Sequence, residues 1–439
     1  MLNSCAAAPL QQWGTIIAGR SYRPYVNLAV FAMDLLVLWS SRASFPARIR
    51  AYFRSRMKTL RWRAHTSVGI LLAWLIGPRR HGTSIEPGKL STVLICRVNG
   101  RIGNTLFLSP AIRTLHELAP QAQIDILAGH PAAQELLGAL PGVRQVLLFP
   151  RKTAAIWLFV RMLGRLRAQH YDLAIDPVPS SLSGRLALTL CRARCRLGFE
   201  NRSQWAPLTH AIPQPAGLDR MHEALRPAFL VARAFNVRRD LGRVRLWLPL
   251  RPAEIAEGRR VVQQVTGSAQ LAIGLFTHAA NLKALDRTWW LAFWNTFLTL
   301  VPEAVPIEFL PVPGVPAVHP RVASVHIDSL RSLAAAIGAT RLFISTDSGP
   351  MHLGSATPVR TVALFHGSNP ALYRPLKPED LAIDVRGCPP QIVAQQCRDI
   401  WLGDLPKPYI GAPANGRPAA QPRPLRPASG RTHIADGYR

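Results

Sequence analysis

The stretch STVLICRVNGRIGNTLFLSPAIRTLHEL, residues 91–118, carries the reading of the fold. It opens with a short apolar run rich in β-branched side chains. Gly100 and Gly103 then supply a turn, and a helical pattern runs on through Leu115 and Leu118. That is one strand, one turn and one helix. IDILAG, VRQVLLF, YDLAIDP and CRLGF follow, each separated by enough chain for a helix. This alternation is expected of a parallel sheet covered on both faces, so residues 91–245 read as one doubly wound α/β domain. A Pro- and Arg-rich connection at 246–268 precedes a second series: LAIGLFT (271–277), PIEFLPV (306–312), VASVHI (322–327), RLFISTD (341–347) and RTVALF (360–365). The second domain spans 269–375, with a closing segment of mixed pattern at 376–410. Two like sheets in series place a ligand in the cleft between them, outside the carboxyl ends of their strands.

Charge sets the ends of the chain apart from this body. The 439 residues carry 53 Lys+Arg against 24 Asp+Glu, a net +29, and 48% are hydrophobic, which excludes a wholly disordered chain. Residues 1–90 hold 13 of the cations and only two acids. Within them Phe45, Ile49, Tyr52, Phe53, Met57 and Leu60 recur at helical spacing, among Arg48, Arg50, Arg54, Arg56, Lys58, Arg61 and Arg63. The spacing predicts a basic amphipathic helix, suited either to an anionic membrane surface or to packing on the body. The apolar run before it, PYVNLAVFAMDLLVLWSS, is broken by Asn27 and Asp34, which favours an interfacial helix over a span. The Pro-, Ala-, Gly- and Arg-rich segment 411–439 reads as a disordered tail. The cysteines at 5, 96, 191, 195, 388 and 397 form no paired metal-binding spacing, and Met1–Leu10 lacks a signal-peptide pattern. A cytoplasmic protein held at the inner face of a membrane is expected, with no metal and no cofactor. Nucleic-acid binding is not expected, because the body has no aromatic-basic stacking pattern.

The sharpest local signal is RLFISTDSGPMHL, residues 341–353. A buried strand ends at Thr346 and Asp347, Ser348 and Gly349 turn, and Pro350 stands where a helix begins, a position at which its missing N–H costs nothing. Amides at such a turn suit phosphate, and His352 lies two residues into the helix. After the first strand of the same domain, FTHAANLKALDRTWW brings Thr277, His278 and Lys283 to the corresponding edge; an ammonium there could neutralise a diphosphate. In the first domain, Gly100 and Gly103 lie in the turn and Asn104 reads as the cap of the following helix. Gly100-x-x-Gly103 departs from the dinucleotide fingerprint, and no Asp-x-Asp pair occurs in the chain.

Taken together, RIGNTLFLSPAIRTLHELAPQAQIDILAG, THAANLKALDRTWW and DSLRSLAAAIG followed by LFISTDSGPMHLGSA resemble the ADP-heptose:lipopolysaccharide heptosyltransferases, glycosyltransferase family 9. The resemblance implies a GT-B fold of two Rossmann-like domains facing a cleft. It implies a nucleotide-sugar donor on the C-terminal domain, a lipid-linked saccharide acceptor on the N-terminal one, inversion at the anomeric carbon and no required metal. By the same resemblance Lys283, the Asp347-Ser348-Gly349 turn and His352 hold the ADP diphosphate. The chain departs from the family where Asn104 replaces the Asp proposed to activate the acceptor hydroxyl, since an amide cannot take a proton at neutral pH. Asp176, ending the strand YDLAID at the same sheet edge, is the candidate substitute base. No carboxylate for the ribose can be assigned after Glu308. A member of the family that binds nucleotide or saccharide without transfer is the other reading that Asn104 permits.

Overall fold

The computed structural model describes residues 85–98, 101–149, 156–179, 181–201, 208–279 and 283–403. The basic helix expected before residue 84, Gly100 and the expected tail lie outside them.

The first half begins with β1 (Thr92–Arg97), which leads into a short helix α1 (Ile102–Leu106) and then α2 (Ser109–Leu118). After it come β2 (Gln123–Ala128), α3 (Ala132–Leu137), β3 (Val143–Leu148), α4 (Ile156–Ala168), β4 (His170–Asp176), α5 (Leu182–Leu190), β5 (Arg192–Phe199), β6 (His210–Ile212) and α6 (Leu225–Ala234). The second half comprises α7 (Pro252–Thr266), β7 (Ala272–Phe276), α8 (Arg287–Leu300), β8 (Val305–Leu310), β9 (Ala323–His326), α9 (Leu330–Gly338), β10 (Leu342–Thr346), α10 (Gly349–Ser355), β11 (Arg360–Phe365), α11 (Pro370–Tyr373), β12 (Leu381–Asp384) and α12 (Pro390–Leu402). The strands form two six-stranded sheets, ordered β3-β2-β1-β4-β5-β6 and β12-β11-β10-β7-β8-β9. Every pairing is parallel. Read from β7, the second order repeats the first, so in both sheets the direction of winding reverses at the centre, between β1 and β4 and between β7 and β10. The connections leave toward opposite faces at such a switch and open a crevice at the carboxyl edge. The α/β reading and the pairing of two doubly wound sheets are thus what the chain adopts.

The central strands are apolar on both faces because helices cover both. β1 packs Val93 and Ile95 with α2, and Leu94 and Cys96 with α4 and α5. In the second half α8 turns Trp290, Phe293, Trp294 and Phe297 inward, all essentially buried. Fully burying a large apolar side chain is worth about 1.5–3 kcal/mol. Asp286 starts that helix by accepting from the Trp289 amide at 2.7 Å.

Two segments are more regular than their sequence suggested. The connection at 246–268 contains α7, whose Glu254 caps the helix start by accepting from the Arg251 amide at 2.6 Å. Only Gly258 and Val262 of α7 are buried, so its apolar stripe is too narrow to stand out among Pro and Arg. Glu254 also grips the buried Arg331 of α9 at 2.6 and 2.7 Å. The closing segment adds β12 to the sheet edge and packs α12, through Val393, Ala394, Cys397 and Trp401, into the same core as α8.

The halves touch through polar as well as apolar groups. Glu135 of α3 accepts from the Ser329 hydroxyl and the Arg331 amide at the start of α9. Leu106, Ala132 and Leu136 share a core with Leu333, Phe343 and Leu353.

Candidate active site

Three loops meet at the carboxyl edges of β1, β7 and β10. α1 follows β1 with its N-cap at Arg101, so Asn104 stands at the third helical position and not at the cap expected for it. α10 follows β10 with Ser348 at its N-cap and Pro350 in its first turn, as the missing N–H of proline favours. The two short helices pack directly on one another. A Cβ on Gly103 would lie 2.5 Å from the His352 ring, and one on Gly349 would lie 3.1 Å from the Ile102 Cβ. Glycine is therefore required at 103 for the halves to approach this closely.

Around this contact lies a cavity of about 630 Å³. Gly103, Asn104, His278, Lys283, Asp347, Ser348, Gly349 and His352 all line it, with Arg101, Ile102, His130, Phe276, Ala279, Pro311, Pro350 and Tyr373. Most of the residues singled out in the three stretches at 91–118, 276–290 and 341–353 are thus brought to one space. Lys283 Nζ is 2.5 Å from Asp347 Oδ2 and lies over the Tyr373 ring, 5.6 Å from its centroid. Asp347 also accepts from the Ser368 hydroxyl. It is the only carboxylate among the lining residues, set against Arg101 and Lys283, so the cavity favours an anion.

Two buried histidines lie at this contact, of which only His352 lines the cavity. His352 is buried edge-on to Phe107, with ring centroids 4.7 Å apart. Burial, reinforced by His222 and Lys283, pushes its imidazole down to about 3, which makes it neutral at physiological pH. Its Nδ1 has no hydrogen-bond partner among the described residues. His222 is held by two bonds: Nδ1 accepts from the Ala224 amide at 3.1 Å and Nε2 faces the Arg374 carbonyl at 2.8 Å. An acceptor at Nδ1 and a donor at Nε2 define one neutral tautomer, and burial lowers this imidazole to about 4.

Other expected site residues serve as supports. Thr277 is buried and donates to Glu308 at the end of β8, whose other oxygen accepts from the Val318 amide at 2.7 Å. Thr346 is fully buried and its hydroxyl donates to the His278 carbonyl at 3.0 Å. Neither lines the cavity; both fasten the 277–278 loop that does.

Asp176 requires a correction. Its side chain is wholly buried, Oδ2 is 3.3 Å from Arg185 Nε, and Oδ1 accepts from the Val178 amide at 3.2 Å. Burial pushes its carboxyl up to about 7, against the opposing pull of Arg185. It does not line the cavity, and a base must reach the hydroxyl it deprotonates, so this position does not suit the role expected of it. Asp176 organises the turn at Pro177 instead.

Several lining residues were not singled out from sequence. Arg101 and His130 follow β1 and β2 at the carboxyl edge, so the edge rule that selected Lys283 would have found them. Tyr373 carries no such signal, because it arrives on the short α11 after β11.

Residues 328–400 match the family model described as glycosyltransferase family 9 (heptosyltransferase). No curated protein matches the chain. Among solved structures, the glycosyl transferase family 9 protein from Veillonella parvula superposes with a TM-score of 0.57 at 17% identity, covering 68% of this chain and 87% of that one. The E. coli ADP-heptose lps heptosyltransferase II gives 0.58 at 19% identity, over 71% of this chain and 99% of its own. The E. coli heptosyltransferase WaaC with ADP gives 0.56 at 14% identity, over 70% and 99%. The resemblance to glycosyltransferase family 9 holds in the sequence of residues 328–400 and in the fold of both halves.

Proposed function

We propose that the chain is a glycosyltransferase that moves heptose, or a related sugar, from an ADP-sugar to a lipopolysaccharide core or similar lipid-linked saccharide, with inversion and without a metal. One observation carries this reading: Lys283, the Asp347–Gly349 turn and His352 converge on a single cavity that also receives Asn104 from the opposite sheet. The family match and the ADP complex of the E. coli heptosyltransferase supply the donor class. A diphosphate in this cavity would draw on the Lys283 ammonium and on the amides opening α10. α10 is only seven residues long, so its amides matter more than any macrodipole. As the glycosidic bond to the diphosphate breaks, negative charge grows on the leaving phosphate, and Lys283 is placed to stabilise it. Neutral His352 can accept or donate one hydrogen bond without adding charge. The reading includes peripheral attachment of the chain to the inner face of a membrane through residues 1–90.

Binding without transfer is the second reading, and a specific observation favours it. The cavity presents Asn104 where the family has an acid, Asp176 is sealed behind Arg185, and Asp347 is already engaged by Lys283 and Ser368. Calorimetry with ADP and ADP-heptose, followed by assay of ADP release with lipid-linked saccharide, separates the two. Acceptor-dependent release supports the enzyme. Tight binding with no release supports the binder, and no binding of either ligand rejects both the enzyme and a nucleotide binder.

A further inference from the structure

The described residues expose seven large apolar side chains, and three of them, Trp157, Leu158 and Val160, fall within the first turn and a half of α4 at 74%, 54% and 51% exposure. Helical geometry sorts them. Met162 and Leu166 point into the core that covers β1 and β4, and Trp157, Val160, Arg161, Arg165 and Arg167 occupy the outward half of the helix, whereas Leu158 stands one turn before Met162 on its side and is exposed at the helix start. That outward half is apolar at its start and cationic along the rest of its length.

Further cations extend it. At the far end of α4 a second cavity of about 540 Å³ is lined by Arg167, His170, Asp172, Arg192, Arg194 and Arg196, and its one acid, Asp172, lies 3.9 Å from Arg194. Scattered apolar residues on a surface need no explanation, but Trp beside Val, flanked by guanidinium groups that have no carboxylate partner among the described residues, is the composition of an interfacial helix. α4 also lies where such a surface would be useful. Because its last residue is followed almost at once by β4, which starts at the amino edge, its first turn sits about 20 Å away, toward the carboxyl edge that carries the first cavity.

We infer that the outward face of α4 is a docking surface for an anionic lipid bilayer: Trp157 and Val160 enter the headgroup layer, and Arg161, Arg165 and Arg167 take lipid phosphates. The partner follows from charge complementarity, and the surface is additional to the attachment proposed for residues 1–90. The inference rests on the membrane setting of that reading for its partner alone. With the helix lying flat, the first cavity opens close to the lipid, where a lipid-anchored acceptor presents its sugar.

The test is hydroxyl-radical footprinting of the full chain, alone and with vesicles of phosphatidylglycerol and phosphatidylethanolamine or of phosphatidylcholine, beside sedimentation with the same vesicles. The expected result is that Trp157 oxidises readily in the free chain and about fivefold more slowly on anionic vesicles, with no change on phosphatidylcholine. Trp157→Ser with Val160→Ser should lower partitioning onto anionic vesicles roughly tenfold while the thermal melt is unchanged. Sedimentation with unaltered Trp157 oxidation overturns the α4 surface and leaves the attachment through residues 1–90 standing. Failure to sediment overturns both. A Trp157 already shielded in the free chain means that another segment or a second copy covers that face, and the inference falls.

Discussion

The two sheets share a strand order, yet their carboxyl edges hold carboxylates of opposite fate. In the first, Asp176 ends β4 and is enclosed with Arg185, both side chains at 1% exposure or less. In the second, Asp347 follows β10 and meets Lys283 on the wall of a cavity. Topology delivers an acid to each edge. Whether the acid can act depends on which neighbour reaches it first: α5 sends a long guanidinium back over the sheet, whereas Lys283 holds its ammonium out over Tyr373.

If this contrast is right, the largest effect comes from the buried pair. Asp176→Ala strands the Arg185 charge and should cost about 3–5 kcal/mol in urea unfolding. A variant of unchanged stability but without sugar transfer would reverse the contrast and restore Asp176 as a base. On the other edge the expectation is the opposite: Lys283→Ala or Asp347→Ala should leave stability nearly intact and weaken ADP binding by about 1.5–3 kcal/mol, tenfold or more by calorimetry. Unchanged affinity in both would remove the donor site from this cavity.

The contact between the edges can be probed by Gly103→Ala. The added methyl meets the His352 ring and should cost about 1–3 kcal/mol in thermal denaturation, with weaker ADP binding as α1 and α10 are pushed apart. Wild-type stability and affinity would mean that the halves separate without penalty.

The smallest effect is a pH slope. His352 and His222 are held neutral in the folded chain down to about 3 and about 4, from an ordinary 6.5. Below 6.5 the unfolded chain binds protons that the folded one refuses, so stability should fall as the pH drops from 6.5 toward 4. Each imidazole contributes at most about 1.4 kcal/mol per pH unit to that slope. His352→Phe should remove one imidazole's share in urea titrations between pH 4 and 6.5, and an unchanged slope would show that His352 is not buried as a neutral ring. Glu254, depressed to about 2 by Arg331, acts in a lower window: its stabilisation is complete above about 4.5 and lost as the pH falls toward 2.

The strand-helix alternation, the turn Asp347-Ser348-Gly349 and the placing of Lys283 at a strand end were legible from residues 91–118, 271–283 and 341–353 alone. Period, β-branching and turn chemistry are local, and a chain buried on both faces writes them plainly. Helix α7 was hidden because only two of its residues are buried, and β12 because four residues are too few to show a period. The burial of Asp176, the retirement of Thr277 and Thr346 into support, and the arrival of Tyr373 depend on partners 9 to 90 positions away in the chain: Arg185, Glu308, His278 and Lys283. An ionisable side chain at a strand end reads the same whether it faces ligand or guanidinium, because desolvation and charge pairing arise only when distant segments pack around it.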